Sequence, residues 1–391
     1  MKIKMSREVD LGKEPIGKLL LILALPSITS QVVNALYNMV DRMYIGHIDT
    51  IGSTALTGVG VCFPIIMIVS AFAYLLGMGG APRASIYMGK RKNEEAEKIL
   101  GNCFSSLLIV AILLTAVVLI FKEPLLYLFG ASEQTLPYAV QYIEIYAIGT
   151  VFVQLTLGMN AFISAQGFST ISMLTVVIGA ITNIILDPIL IFVLNMGVQG
   201  AALATILSQA VSAVWAIRFL CGRQTILRLK KENLRIQKKV LLPCIALGVS
   251  PFAMQSTESI LVLCFNSSLL YYGGDLAVGA MTILSSIMQF AMMPLQGLTQ
   301  GAQPIVSYNY GARNAQRVRA AFRCLLRACV TYSLLLWALV QLFPRMFILM
   351  FNSSPELVEY ASWALRIYMA ATAIFGVQIA CQQTFVALGN A

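Results

Sequence analysis

The chain is a succession of long apolar stretches separated by short polar breaks. Ten of them reach the roughly 20 residues that an α-helix needs to cross hydrocarbon. They fall at about 16–44, 54–79, 100–121, 137–165, 171–193, 198–220, 240–271, 276–307, 318–342 and 356–388. The breaks differ in charge. Lys90, Arg91, Lys92 and Lys98 follow the second stretch, and Arg223, Arg228, Lys230, Lys231, Arg235, Lys238 and Lys239 follow the sixth. A further basic break follows the eighth, while those after the first, fifth and seventh carry no lysine or arginine. The excess of cations on the cytoplasmic side of membrane proteins then predicts a cytoplasmic N-terminus, a cytoplasmic linker at 222–239, and a return to the cytoplasm after every even span. The turn after the fourth stretch is uncharged and follows by alternation alone.

Composition agrees. Of 391 residues, 58% are hydrophobic and 11% charged, with a mean hydropathy of +0.80. This excludes a soluble globular domain and predicts an all-α polytopic membrane protein. Lys2, Lys4, Arg7 and Lys13 precede a first stretch long enough to span, so the N-terminus is not read as a cleavable signal. The net charge of +10 sits mostly in short loops, so it does not point to nucleic acid. Eight cysteines without metal-ligand spacing read as small core hydrophobes. His47 is the only histidine, which excludes a histidine-based catalytic or metal cluster.

A repeat organises the chain. Gly79, Pro82, Ser85, Gly89 and Arg91 recur as Gly301, Pro304, Ser307, Gly311 and Arg313, all at an offset of 222. Phe129 with Phe351, Tyr138-Ala139 with Tyr360-Ala361, Ile145-Tyr146 with Ile367-Tyr368, and Gly167 with Gly389 keep that offset. Two six-helix lobes are expected, related by an axis along the membrane normal: residues 1–221, then the basic linker 222–239, then 240–391. The second copy has no counterpart for positions 170–221 of the first. The expected form is therefore a twelve-span protein with its last two spans missing here.

The chemistry centres on Asn183 and Asp187-Pro188 in the fifth stretch. A carboxylate at the middle of a membrane helix costs about 2.5–3.5 kcal/mol on insertion scales, so it is expected to face a partner, cavity or cation. Asn183 lies one turn earlier on the same face, and Pro188 frees the carbonyl of Ile184. Such oxygens suit a small cation or a proton; the alternative is a buried Asp hydrogen-bonded for packing. The other acids read as intramembrane are Asp41, Glu144 and Glu258. Asn34, Tyr37 and Asp41 share one helical face. Glu144, whose repeat counterpart is Arg366, reads equally as interfacial. Thr205 follows the small-residue run that begins at Gly200, and either ligates or bonds its own preceding turn. Pro26 frees the carbonyl of Ile22 and marks a kink or a hinge. Asn34, Tyr37, Asn160, Gln255 and Glu258 are candidates for lining a substrate cleft. Met292 and Met293 read as an adaptable pocket or as ordinary packing. No GxxxxGK[ST] loop is present, so ATP drive is not expected.

Taken together, Pro26, Tyr37 to Asp41, Asn183 to Pro188, and Thr205 after Gly200 resemble the multidrug and toxic compound extrusion (MATE) family, over the whole chain. A bacterial branch of the DinF or MepA type looks nearest. The resemblance implies export of bulky, often cationic, amphipathic compounds in exchange for Na⁺ or H⁺. It implies Asp41 and Asp187 as the carboxylates, with Asn183 and Thr205 as neutral oxygen ligands of a possible Na⁺. Pro26 would be the bending point, and Glu258 an acid of the seventh span. It further implies a monomer in the inner (plasma) membrane with no cofactor beyond the coupling ion, no ATPase partner and no enzyme activity. Two other readings stand beside it. A lipid-linked oligosaccharide flippase of related architecture would want a strongly basic cleft, whereas the deep charges here are mostly acidic. A membrane-embedded enzyme would want a catalytic cluster that one histidine does not supply.

Overall fold

The computed structural model describes residues 10–48, 52–351 and 355–390, without the side chains of 53, 258–267, 269–276 and 278. Within the described residues every regular element is helical. This is the expected answer for an apolar chain in lipid, where only internal hydrogen bonds can satisfy the backbone. The elements are α1 (Ile16–Gly46), α2 (Gly52–Gly89), α3 (Asn93–Leu128), α4 (Leu136–Ile148), α5 (Thr150–Ala165), α6 (Ser169–Pro188) and α7 (Gly197–Cys221). After the linker come α8 (Lys238–Gly311), α9 (Ala315–Leu342), α10 (Pro344–Leu349), α11 (Pro355–Tyr368) and α12 (Thr372–Ala387).

Three features depart from ten straight spans. The fourth stretch is two helices, α4 and α5, bent by 56°, and the tenth is α11 and α12, bent by 43°. Gly149 stands at the first bend because the side chain of Ile206 fills the place of a Cβ. The seventh and eighth stretches join in α8, 74 residues of helical backbone. A straight helix of that length would run about 110 Å. Instead Gly248 packs on Leu75 of α2 and Gly311 packs on Ile86, only eleven residues along α2, so α8 doubles back between its ends. Third, α2 runs ten residues past the second stretch to Gly89, so Arg83 lies within the helix. By length and composition, seven described helices can cross a membrane, or nine with each bent pair taken as one span. The eighth stretch begins among the side chains that are not described.

The repeat is written into the backbone. Arg91 (φ 59°) and Arg313 (φ 58°) both take the left-handed conformation, and so do Gly167 (φ 90°) and Gly389 (φ 82°). Each pair is separated by the same 222 residues as the sequence motif. For arginine this conformation is uncommon, so its recurrence marks the same tight turn closing α2 and α8.

The two repeats exchange helices at the end of the bundle that carries the basic turns. Leu19, Leu20, Leu23 and Ala24 of α1 pack in one cluster with Leu295, Ala302 and Ile305 of α8 and Leu325 of α9. Ile45, at the far end of α1, packs instead with Cys62, Ile65 and Tyr142 of the first repeat. Gly297 and Gly301, four residues apart on one face of α8, admit the backbone of α1 at Leu23, Ala24 and Ile28, as small residues do where membrane helices approach closely. In the mirrored contact, Gly79 of α2 meets the carbonyl of Cys244 and Gly248 meets that of Leu75. Phe72 and Phe252 stack edge-on at 5.0 Å beside it.

The linker is an ordered strap. Gln166 Oε1 accepts from Thr225 Oγ1 (2.8 Å) and from the Leu227 backbone N–H (2.7 Å). Asn102 Oδ1 accepts from Gln237 N at 2.6 Å, and Ser105 donates to the Leu234 carbonyl at 2.7 Å. Lys230 reaches Glu97 at 2.6 Å, and this bond holds its ammonium above the ordinary lysine range. A Cβ added at Gly167 would lie 3.5 Å from the Leu11 side chain, so the two are neighbours. The uncharged turn after α5 therefore lies at the same end as the N-terminal segment and the linker.

The close helix crossings predict opposite outcomes for two kinds of glycine. Gly79→Val or Gly248→Val forces a side chain into a facing backbone and should cost about 1–3 kcal/mol, lowering the melting temperature in detergent. Gly60→Ala, with nothing within 4 Å of its added Cβ, should leave it unchanged or raise it slightly. Equal melting of all three would contradict the crossings.

Candidate functional site

The site lies where the C-terminal half of α1 packs on the C-terminal end of α6. An i, i+4 spacing places Asn183 and Asp187 on one face of α6, and both are fully buried. Asn183 Nδ2 donates to Asp187 Oδ1 at 3.2 Å. Asp41 approaches from α1, buried to 9% exposure and close enough for the two carboxylates to feel each other's charge. Asp41 Oδ1, Asn183 Oδ1 and Asp187 Oδ2 are buried without a hydrogen-bond partner. Buried acceptors in native proteins are nearly always paired. Three unpaired oxygens on neighbouring residues form a donor set for a small hard cation, or a place for a proton.

Local backbone chemistry builds this pocket. Pro188 has no N–H to donate, and the helix beyond it widens into a π turn over Ile189–Val193. Leu194 N–H bonds back to the Ile189 carbonyl at 2.9 Å, and Asn195 (φ 51°) and Gly197 (φ 55°) then reverse the chain in left-handed conformations. Gly200 lies against the backbone of Leu190 and Ile191, where a Cβ would come within 2.9 Å. That approach docks α7 on the end of α6.

Thr205 takes a different place from its three companions. Its hydroxyl donates to the Ala201 carbonyl at 3.0 Å, one turn back, and meets the Tyr142 side chain, which itself lies near Asp41. Thr205 thus reaches the acids through a tyrosine. The sequence reading missed that role. Tyr142 and Tyr146 of α4 are buried and stacked at 6.2 Å. Tyr37 lies near Asp41, Asp187 and Tyr74, and Tyr146 lies near Tyr37. The signal available in the sequence was Tyr142 and Tyr146 at helical spacing in an otherwise apolar stretch. Arg42, next to Asp41 in the chain, stands 5.2 Å over the ring of Phe63, and its charge still acts on Asp41.

The remaining candidates disperse. Asn34 is exposed on α1. Asn160 Nδ2 donates to the Ser172 carbonyl at 3.3 Å. Ser172 precedes Asn183 by eleven residues on α6, about 16 Å along the axis, so Asn160 joins α5 to α6 away from the acids. Gln255 Nε2 contacts Met67 Sδ at 3.1 Å, bridging α8 and α2. Glu144 takes the interfacial one of its two readings: it pairs with Lys122 and is 41% exposed. Arg366 is exposed, and its carbonyl accepts from Gln341 Nε2 at 2.9 Å. The side chain of Glu258 lies outside the described residues. Pro26 sits inside an unbroken α1, where Ser27, Thr29 and Ser30 donate to the carbonyls of Leu23, Leu25 and Pro26. Among the described residues no three of His, Cys, Asp and Glu come together as a metal cluster. Any cation here relies on two acids and neutral oxygens.

Comparison with known proteins bears on the fold and the family. The chain is 25% identical to "Multidrug export protein MepA" of Staphylococcus haemolyticus (strain JCSC1435) over 93% of its own length and 79% of the relative's. Its fold matches a crystal structure of MATE in the bent conformation with a TM-score of 0.91 and 23% identity, over 99% of this chain and 85% of that one. An outward-facing conformation of a multidrug resistance MATE family transporter of the MOP superfamily matches with a TM-score of 0.89 and 24% identity, over 99% and 86%. The MatE family profile matches residues 26–189 and 251–391, well over half of the sequence, and the chain belongs to the MatE family.

Proposed function

We propose that the chain is a Na⁺- or H⁺-coupled antiporter that exports amphipathic, often cationic, organic compounds by alternating access. The observation that carries this reading is the trio of unpartnered oxygens on Asp41, Asn183 and Asp187, buried between α1 and α6. Family membership and relatives named as multidrug export proteins support the substrate class. In this reading the N-terminus and linker are cytoplasmic, and the basic end of the bundle faces the cytoplasm.

The coupling follows from where α1 is held. Its inner half is packed into the second repeat and its outer half into the first. Pro26 lies at the join, where the backbone lacks one hydrogen bond and bends most easily. Two facing carboxylates repel. A cation or a proton removes that repulsion and draws the outer half of α1 towards α6. The tyrosines beside the acids transmit the change to α4 and, through Thr205, to α7. Inward movement of one charge down a potential of 100 mV supplies about 2.3 kcal/mol. That is enough to bias the two arrangements of α1 against each other and to expel a cationic compound from a cleft beside the acids.

Asp41→Asn and Asp187→Asn should each abolish ethidium efflux driven by a Na⁺ or pH gradient in proteoliposomes while membrane expression is kept. Normal efflux in both variants would sink the proposal. Asn183→Ala removes one oxygen and the hydrogen bond to Asp187. Charged hydrogen bonds are worth about 1.5–3 kcal/mol, so the ion concentration for half-maximal efflux should rise by roughly 10-fold or more. Glu144→Gln breaks only a half-exposed pair with Lys122 and should leave efflux unaltered; a loss as large as that of Asp187→Asn would mean that the acids are misassigned.

A further inference from the structure

The basic end of the bundle holds a second cluster of charge, far from the acids. Gly89 of α2 lies against the carbonyl of Tyr308, and Gly311 of α8 against that of Ile86. This reciprocal contact brings the ends of α2 and α8, and so their two equivalent left-handed turns, to one place. A cavity of about 820 Å³ opens between them, lined by Lys90, Arg91 and Lys92 from the first turn, Arg313 from the second, and Asp10 and Lys13 from the segment before α1. That segment is fixed: Arg317 donates to the carbonyls of Leu11 (3.2 Å) and Glu14 (2.7 Å), and Asn309 donates to Leu11 (2.9 Å).

Five cations thus face one carboxylate. Lys13 stands 3.9 Å from Asp10 in an exposed pair, which contributes little. Lys90 leans over the ring of Tyr87 at 5.2 Å. Of the nearby acids, Glu14 pairs with Lys18 and Glu95 with Lys98, both within hydrogen-bond distance, while the charge of Glu94 acts on Lys98 and Lys230. Among the described residues, no carboxylate pairs with Arg91, Lys92 or Arg313. Like charges from two repeats repel when the glycine contact closes. An anion with several oxygens relieves that repulsion, and two arginines suit phosphate oxygens by their fork geometry.

We propose that this cavity binds a phosphate-bearing anion, bridging Arg91 of one repeat and Arg313 of the other, and that the bound anion favours the arrangement in which α2 and α8 meet. The shared chemistry is the phosphate group, presented either by an anionic phospholipid headgroup or by a soluble phosphate compound. The site is separate from the coupling acids and does not depend on their role.

The test uses the full chain, with asparagine at the two arginine positions because asparagine tolerates the left-handed backbone. Binding of inorganic pyrophosphate is titrated in detergent. Binding of phosphatidylglycerol is measured by native mass spectrometry after release from nanodiscs of phosphatidylcholine with and without that lipid. The native chain should bind one of the two saturably, and the R91N/R313N double variant about thirtyfold more weakly. The K231Q/R235Q variant in the linker, which removes the same charge elsewhere, should bind like the native chain. Pyrophosphate binding lost in R91N/R313N supports a soluble ligand, and binding of phosphatidylglycerol alone supports a headgroup. Equal weakening in the two double variants, or no saturable binding of either probe, overturns the proposal.

Discussion

Two carboxylates are held where hydrocarbon surrounds the helices, and much of the first repeat is arranged to tolerate them. Such a group costs about 2.5–3.5 kcal/mol at a helix centre on insertion scales, and less towards the helix ends where Asp41 and Asp187 stand. Asp187 recovers part of that from Asn183 at 3.2 Å, yet one oxygen of each acid and the amide oxygen of Asn183 stay unsatisfied. The π turn after Pro188, the reversal at Asn195 and Gly197, and the approach permitted by Gly200 all shape the wall around that vacant chemistry. A well-packed apolar substitute would be simpler to fold. The arrangement therefore reads as one kept for charge that comes and goes.

The consequence for the rest of the molecule runs through α1. Its residues before Pro26 pack into the second repeat, as Ile28 still does against Gly297, and Ile45 near its far end packs into the first. Any change at Asp41 therefore acts on a helix whose other end is clamped by Gly297 and Gly301 of α8. The N-terminal half of α8 makes the matching contact with α2. Each repeat thus lends its first helix to the other at the basic end. The two repeats meet through close backbone packing, with side-chain volume removed at the crossings.

Much of this was legible in the sequence. Apolar length and the pattern of charged breaks set the helices. The repeat at an offset of 222 predicted paired turns that the backbone reproduces at Arg91 and Arg313. Asn183 and Asp187 were readable because helical spacing is local. What escaped depends on tertiary placement. Thr205 reaches the acids only through Tyr142, and tyrosines in an apolar stretch look like core. Glu144 stayed open between a deep and an interfacial place because span boundaries drawn from hydropathy do not show that Lys122 is alongside. The bend at Gly149 and the ordered linker arise from Ile206, Gln166 and Asn102 in other elements, which periodicity does not register.

The most direct measurement is infrared difference spectroscopy of the purified chain, in which carboxyl and carboxylate stretches are followed as Na⁺ is added at fixed pH and as pH is lowered without Na⁺. Coupling through the paired acids predicts a carboxylate band that shifts with one of these ions and is lost in both Asp41→Asn and Asp187→Asn. A spectrum that answers to neither ion, or a response that survives in both variants, would contradict the assignment of Asp41, Asn183 and Asp187 as the coupling site.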